Sequence, residues 1–214
     1  FSEKVSYEFE VLTDAGEAPI LYCDQCDYCV NVDDIKTYKE GEDCPICGKD
    51  KLKSAMASEV GNVFDLGTKY TKAFELTIND EKGKKIYPIM GCYGIGISRT
   101  MGVLVEKFHD ERGIMWPVTV SPFQLHLVSL NTNDEAVVAR TEALYKKLTE
   151  RGIEVLYDDR AEAGAGQKLA DADLLGIPYR AIVSAKTGDK VELKKRNEKE
   201  GKLVSVEELI SELG

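Results

Sequence analysis

The sequence predicts an α/β (α+β) protein in two parts: an antiparallel sheet with a helix on one side and a cysteine-bearing insert, then a mixed-sheet α/β domain. Three observations carry this expectation. Across residues 1–121, short alternating runs are separated by turn residues, which is how antiparallel strands read. Two Cys-x-x-Cys pairs interrupt those runs. From residue 122 onward the pattern alternates as β-α-β-α-β-β-α, the order of a small sheet covered by helices. The boundary is expected near 121, in the stiff stretch from Ile114-Met-Trp-Pro117 to Ser121-Pro122.

Composition narrows the class. The chain has 214 residues, 43% hydrophobic and 31% charged, as in soluble globular proteins. No apolar run approaches the roughly 18 residues of a membrane span. No signal peptide is visible at the opening Phe-Ser-Glu-Lys, which predicts a cytoplasmic fragment of a longer protein. The net charge of −10 argues against wholesale non-specific binding of nucleic acid. The acid excess is concentrated in the first part, because residues 122–214 hold 14 basic and 17 acidic side chains. The second part is thus the less repulsive to a polyanion.

In chain order, residues 5–12 alternate as a strand, Asp14-Ala-Gly16 turns, and Ile20-Leu-Tyr22 begins a second strand. Cys23-Asp-Gln-Cys26 and Cys44-Pro-Ile-Cys47-Gly48 follow. Tight turns can aim these four thiolates at one tetrahedral ion, and Zn²⁺ prefers such soft ligands. A zinc-ribbon-like segment is therefore expected over about 22–55. Cys29 is also spaced to pair with Cys26 and competes with Cys23 for the fourth position. Cys23 is preferred, because Cys26 and Cys29 flank a return into a strand at Tyr28–Val32. Four thiolates leave no open position for water, so the expected role is structural.

Residues 59–78 read as two strand runs broken at Gly67-Thr-Lys, and Asn79-Asp-Glu-Lys-Gly83-Lys as a hairpin turn. The apolar run Ile86–Tyr93 then reads as a buried strand. After Gly91, Gly94 and Gly96, residues Ile97, Met101, Leu104, Val105 and Phe108 recur at helical spacing. Glycines at a strand-to-helix junction permit close approach to the backbone. Arg99, just beyond them, offers a planar charged fork suited to phosphate or carboxylate. Spacing alone supports close packing and a solvated arginine equally well.

In the second part, Phe123–Leu130 reads as a strand. Asp134–Arg151 reads as a helix capped by Asn133 with a buried stripe of Val137, Leu144, Tyr145 and Leu148. Ile153–Tyr157, Tyr179–Ser184 and Lys190–Lys194 read as strands, and Gly166–Leu175 as a short helix. Ser205-Val-Glu-Glu208 is a capping box opening the last helix. His109 and His126 are expected to be a helix-end surface residue and a structural strand residue.

Met90-Gly-Cys-Tyr-Gly-Ile-Gly-Ile-Ser-Arg99 resembles motif 3 of class II aminoacyl-tRNA synthetases, in the form of bacterial-type prolyl-tRNA synthetases. Phe64-Asp-Leu-Gly-Thr-Lys-Tyr70 is similar to that family's strand and loop beside ATP and proline. Tyr157-Asp-Asp-Arg160 with Gly166-Gln-Lys-Leu-Ala-Asp-Ala-Asp-Leu-Leu-Gly-Ile-Pro178 resembles the class IIa anticodon-binding domain. The fold implied is an antiparallel class II sheet fragment over 1–121 and an anticodon-binding domain over 122–214.

The resemblance implies ATP-dependent ligation of proline to tRNA(Pro) through prolyl-adenylate. Arg99 would be the catalytic contact to the terminal phosphates. Glu59, Asp65 and Thr68 would face ATP, the carboxylates helping to hold Mg²⁺. Tyr70, Gly91, Cys92 and Gly94 would line the proline pocket. Arg160 and Lys168, with Lys194, Lys195 and Arg196 as a looser group, would meet the anticodon. The family commonly has Gln in place of Asp65 and His in place of Tyr7. The cysteine segment stands where many bacterial members insert an editing domain, which implies clearance of mischarged tRNA by another protein or not at all.

Motifs 1 and 2 do not occur in these residues. Motif 2 supplies further ATP-holding groups and motif 1 the homodimer interface, so the fragment alone is expected to be inactive. Two other readings share parts of the pattern: a synthetase for Thr, Gly or His, and a non-enzymatic zinc-bearing tRNA-binding module.

Overall fold

The computed structural model describes residues 6–32 and 37–214. Val5, the first residue of the expected opening strand, and residues 33–36 of the expected ribbon lie outside them. By internal contacts the chain divides into two compact units, 1–107 and 108–214. The sequence puts the boundary near 121. Residues between the two positions belong with the second unit because Asp110 is gripped by Arg196 there, at 2.9 and 2.6 Å.

The first unit runs β1 (Ser6–Leu12), β2 (Ala18–Tyr22), β3 (Cys29–Asn31), β4 (Lys53–Gly67), α1 (Lys69–Ala73), β5 (Ile78–Asn79), β6 (Lys85–Ile86), β7 (Met90–Ile95) and α2 (Ile97–Lys107). Its main sheet is antiparallel throughout and built on β4, a strand of 15 residues. β1 pairs with β4 from Ala57 to Phe64 and so occupies one edge. The other edge is shared in tandem: β2 pairs with Lys53–Ala57, and β7 with Gly61–Gly67. One strand therefore connects the cysteine segment to the glycine-rich stretch.

Three expectations shift here. The run 86–93 is not a buried strand: β7 starts at Met90 and is largely exposed. The stripe of α2 is apolar as expected, yet none of its residues is buried. Phe74 to Ile78 do not resume a strand directly, because the break at Gly67-Thr-Lys becomes a helical turn instead. Thr71 holds that turn by donating from its hydroxyl to the carbonyls of Thr68 and Pro88.

The second unit runs β8 (His109–Asp110), β9 (Gly113–Ile114), a 3₁₀ turn (Val118–Val120), β10 (Leu125–Ser129), α3 (Glu135–Thr149), β11 (Val155–Asp158), α4 (Ala165–Leu175), β12 (Tyr179–Val183), β13 (Val191–Lys195), β14 (Lys202–Val204) and α5 (Val206–Leu213). The sheet order is β11-β10-β12-β13-β14, parallel around β10 and antiparallel from β12 onward. The expected β-α-β-α-β-β-α order holds with one added strand, β14. Every residue of β10 is buried, as suits a strand with parallel neighbours on both sides and helices over the faces. Leu125, Leu127, Leu144, Leu148, Leu193 and Leu209 lead its core.

Helix ends follow side-chain chemistry. Asp134, not Asn133, caps α3, its carboxylate accepting from the N–H groups of Ala136 and Val137. Gly176 ends α4 with φ of 72°, the left-handed conformation that favours glycine. The capping box at Ser205 and Glu208 forms as expected.

Candidate active site and metal cluster

Arg99 is positioned by an irregularity in β4. The β1–β4 register slips between Phe9–Gly61 and Glu10–Glu59, leaving Val60 as a bulged residue. The Val60 carbonyl accepts the Gly96 N–H at 2.9 Å, and the Gly96 carbonyl accepts the Thr100 N–H, which opens α2. Arg99 then lies back over the bulge. Its Nη1 donates to the Glu59 carbonyl at 2.8 Å and stands 3.3 Å from the Glu17 carboxylate and 3.9 Å from that of Glu59. The side chain remains 48% exposed.

Two of the glycines near Arg99 are closely approached by their neighbours. A Cβ on Gly94 would come 2.4 Å from Asn62 Oδ1, and one on Gly61 2.9 Å from the Gly94 carbonyl oxygen. Neither these nor Gly91 and Gly96 have positive φ. The surroundings are acidic. Burial, and then the carboxylates of Glu8, Glu59 and Glu17, push the Glu10 carboxyl above its ordinary pKa. A polyphosphate approaching Arg99 here would need a cation with it.

The other expected ATP residues lie along the same strand. Glu59 accepts from Asn62 Nδ2 at 2.8 Å, beside Arg99. Asp65 accepts the Gly67 N–H at 2.7 Å and sits opposite Gly91. Thr68 precedes α1 and makes no side-chain cap bond. Six strand steps of about 3.3 Å put Asp65 about 20 Å from Glu59. The structure therefore brings Arg99 and Glu59 together, while Asp65 and Thr68 stand at the far end of the strand.

That far end borders a cleft of ≈ 460 Å³ with an almost wholly apolar lining, including Tyr70, Cys92, Phe64 and Phe74. Two expected pocket residues, Tyr70 and Cys92, thus share one cavity. Gly91 and Gly94 flank Cys92 and Tyr93 on β7 without bordering it.

The cysteine segment gathers into a second cluster. The Sγ atoms of Cys23, Cys26, Cys44 and Cys47 all lie within 4.8 Å of one another. Cys23 and Cys47 are 3.7 Å apart, and Cys26 and Cys44 3.6 Å apart. Zn–S bonds of about 2.3 Å at tetrahedral angles separate sulfurs by about 3.8 Å, so the arrangement fits a tetrathiolate ion. A disulfide would need about 2.05 Å. Cys29 lies on β3, exposed and outside the group, which favours Cys23 as fourth ligand. Two neighbouring lysines are occupied by carboxylates, Lys51 by Asp43 and Lys53 by Asp24.

In the second unit, the cations chosen from sequence separate into two groups. Lys168 is 1% exposed, and its Nζ donates to the Ser129 and Asp158 carbonyls at 2.9 and 3.2 Å. Lys194 is buried, and Arg196 is buried against Asp110 and the Asp173 carbonyl. All three are buried within the unit. A buried lysine has no distinctive spacing, so the sequence did not show this. Arg160 is 39% exposed but grips Asp158 at 2.9 and 2.8 Å and Asp171 at 2.8 Å. Lys195 is part-exposed, pairs with Glu212 and lies over the Tyr179 ring.

His126 is structural, as the sequence suggests. It is 2% exposed, and burial holds its pKa down to about 4, against a smaller opposing pull from Asp158. An unfolded histidine titrates near 6.5. Between these values the unfolded chain binds the extra proton, so stability falls as pH drops from about 6.5 to about 4, by about 3 kcal/mol in total. Trp116 is the single tryptophan and belongs to this unit, so the urea midpoint of its fluorescence at pH 7.5, 6 and 4.5 will report the loss. A His126→Leu chain should lose less stability over that window, the remainder coming from carboxylates such as Asp158 that are held below their usual pKa.

The comparisons with known proteins agree with the two-unit architecture. The family model for the tRNA synthetase class II core domain (G, H, P, S and T) matches residues 2–108, and that for the anticodon binding domain matches 124–214. Curated proline–tRNA ligases align over most of the chain. That of Caldicellulosiruptor bescii is 44% identical, covering 83% of this chain and 31% of its own length. That of Aquifex aeolicus gives the same three values, and that of Geobacillus sp. (strain WCH70) is 46% identical over the same shares. The chain thus spans about a third of the length of these relatives.

Among solved structures, Cryptosporidium parvum prolyl-tRNA synthetase complexed with L-proline and AMP superposes with a TM-score of 0.62 at 25% identity, covering 73% of this chain and 33% of that one. Giardia lamblia prolyl-tRNA synthetase in complex with prolyl-adenylate gives 0.60 at 17% identity over 72% and 33%, a likeness of fold alone. An antiparallel sheet carrying the glycine-rich strand and its arginine, followed by an anticodon-binding domain, places the chain in the prolyl-tRNA synthetase family of the class II synthetases.

Proposed function

We propose that this chain is the C-terminal part of a proline–tRNA ligase, which joins proline to tRNA(Pro) through prolyl-adenylate. The observation that carries the reading is Arg99, held over the β4 bulge at the head of α2 with its guanidinium half exposed. Catalysis of adenylate formation rests on positioning and on stabilising charge at the phosphates. Arg99 supplies that charge. Glu59 beside it is suited to a Mg²⁺ that accompanies ATP, and Asp65 and Thr68 would meet other parts of the substrate. The apolar cleft at Tyr70 and Cys92 suits the proline ring. In the four-thiol cluster, Zn²⁺ has a structural role.

Among the expected tRNA contacts, Arg160 and Lys195 are the part-exposed cations of the second unit and the ones left to meet RNA. The working protein is a cytoplasmic homodimer in this reading. No helix among the described residues is long and apolar enough to cross a membrane.

Amino-acid-dependent exchange of pyrophosphate into ATP tests the proposal. The complete enzyme should respond to proline and not to threonine, glycine or histidine. The 214 residues alone should give no exchange, because motif 2 supplies the other groups that hold ATP. Exchange with threonine, glycine or histidine instead of proline would overturn the proline reading. No exchange with any amino acid would favour a tRNA-binding module.

A further inference from the structure

We propose that the metal in the four-thiol cluster is the closing staple of the β2–β4 hairpin, so that order at the ribbon end depends on the ion while the β4–β7 pairing beside Arg99 does not. The proposal rests on the zinc reading above but is independent of the ligase activity. β2 and β4 pair from Ala18–Ala57 to Tyr22–Lys53, and the next residue on each side enters the cysteine segment. Between them the chain makes a long excursion from 23 to 52, and closing such a loop carries an entropic cost that a cross-link offsets.

Besides the pairing of β3 with β2 and the edge-on Tyr28–Tyr38 contact, the described part of that excursion is held by a small core. The buried set of that core is Leu21, Leu52, Cys23 and Cys44, half of it thiols, with Tyr28, Val30, Val32 and Tyr38 partly buried against it. Modules below about 40 residues usually need a metal or disulfides to stay folded. The backbone is already shaped for an ion. Cys23 N–H donates to the Tyr28 carbonyl, Cys44 N–H to that of Asp50, and Gly48 N–H to that of Cys44, forming two tight turns whose thiols converge. With four thiolates bound, no ligand position remains for a substrate, so the ion's work is mechanical.

The arrangement along β4 limits how far that work extends. β2 leaves β4 at Ala57, whereas β7 begins pairing at Gly61 and β1 spans the interval on the opposite edge. Loss of the ion therefore frays the strand from the Lys53 end, and β1 stops the fraying before it reaches Val60.

The test uses the whole 214-residue chain and has two separable parts. The first is metal identity. The purified protein should carry one equivalent of zinc, and Co²⁺ replacement should give the visible spectrum of a tetrahedral tetrathiolate. Both properties should survive Cys29→Ser and be lost in Cys44→Ser. Iron in place of zinc, two disulfides, or metal loss on Cys29→Ser would overturn the site itself.

The second part is hydrogen exchange before and after zinc is removed from the unaltered chain by a chelator. Protection at Leu21, Tyr22 and Ser54 should fall about a hundredfold, while that at Asn62 and Val63 stays within about twofold. Unchanged protection at the ribbon end, or loss spreading to Asn62 and Val63, would overturn the staple even with zinc bound. Readdition of Zn²⁺ should restore the starting pattern.

Discussion

Replacing Arg99 by Ala in the complete enzyme should lower kcat/KM for ATP in proline-dependent pyrophosphate exchange by about 10²- to 10³-fold, the usual effect of losing one preorganised donor to transition-state charge. The effect should appear in chemistry rather than in folding. The guanidinium is half exposed, and its ion pairs with Glu17 and Glu59, at 3.3 and 3.9 Å, are of the kind worth at most about 1 kcal/mol. A polyphosphate can thus displace them at little cost, and their loss should hardly change stability. Arg99→Lys should recover only part of the activity, because an ammonium has the charge without the planar fork. Activity of Arg99→Ala within about twofold of the parent would remove the residue from the mechanism.

Lys168→Met should destabilise the second unit by about 3–5 kcal/mol, the range for breaking a buried charge network. The ammonium bridges the ends of two strands, donating to the Ser129 carbonyl at the end of β10 and to the Asp158 carbonyl at the end of β11. It also stands 3.6 Å from the Asp158 carboxylate. Methionine keeps most of the side-chain volume but leaves two buried carbonyls without a donor and Asp158 with Arg160 as its remaining cation. The hydrogen bonds from Arg160 and the nearby Lys168 charge hold the Asp158 carboxyl below its usual pKa, so the network is fully formed at neutral pH. The readout is the urea midpoint of Trp116 fluorescence in the full chain. A two-unit chain need not unfold in one step, so a probe confined to this unit is required. An unchanged midpoint would make Lys168 dispensable and reopen it as an RNA contact.

The two cations differ for a reason the sequence does not show. Arg99 and Lys168 both follow glycines, and both lie in a helix covering a sheet. Arg99 lies over a bulge in β4 with its guanidinium half exposed. Lys168 points from α4 toward the ends of β10 and β11, where the sheet's carbonyls require a donor. Periodicity locates the helix face approximately, but whether that face meets water or strand ends is a three-dimensional matter. The same holds for Arg196. As part of Lys194-Lys-Arg196 it reads as a basic cluster, and its burial against Asp110 depends on a carboxylate 86 positions away.

Local chemistry was legible where it acts through neighbours in sequence. The four cysteines, the capping box at Ser205, the hairpin at Asn79–Lys84 and the strand–helix rhythm of the second unit all follow from spacings of a few residues, because turns and caps are made by the residues that form them. The motif around Arg99 was legible as well, since the glycines beside β4 leave room that side chains would fill.

Longer-range facts were settled by tertiary structure. These include the bulge at Val60 that aims Arg99, the partnership with Glu17, the separation of Glu59 from Asp65 along one strand, and the burial of three of the five chosen tRNA-facing cations. Each depends on register between segments far apart in the chain. A one-residue slip turns a strand's side chains to the opposite face, and composition carries no record of it.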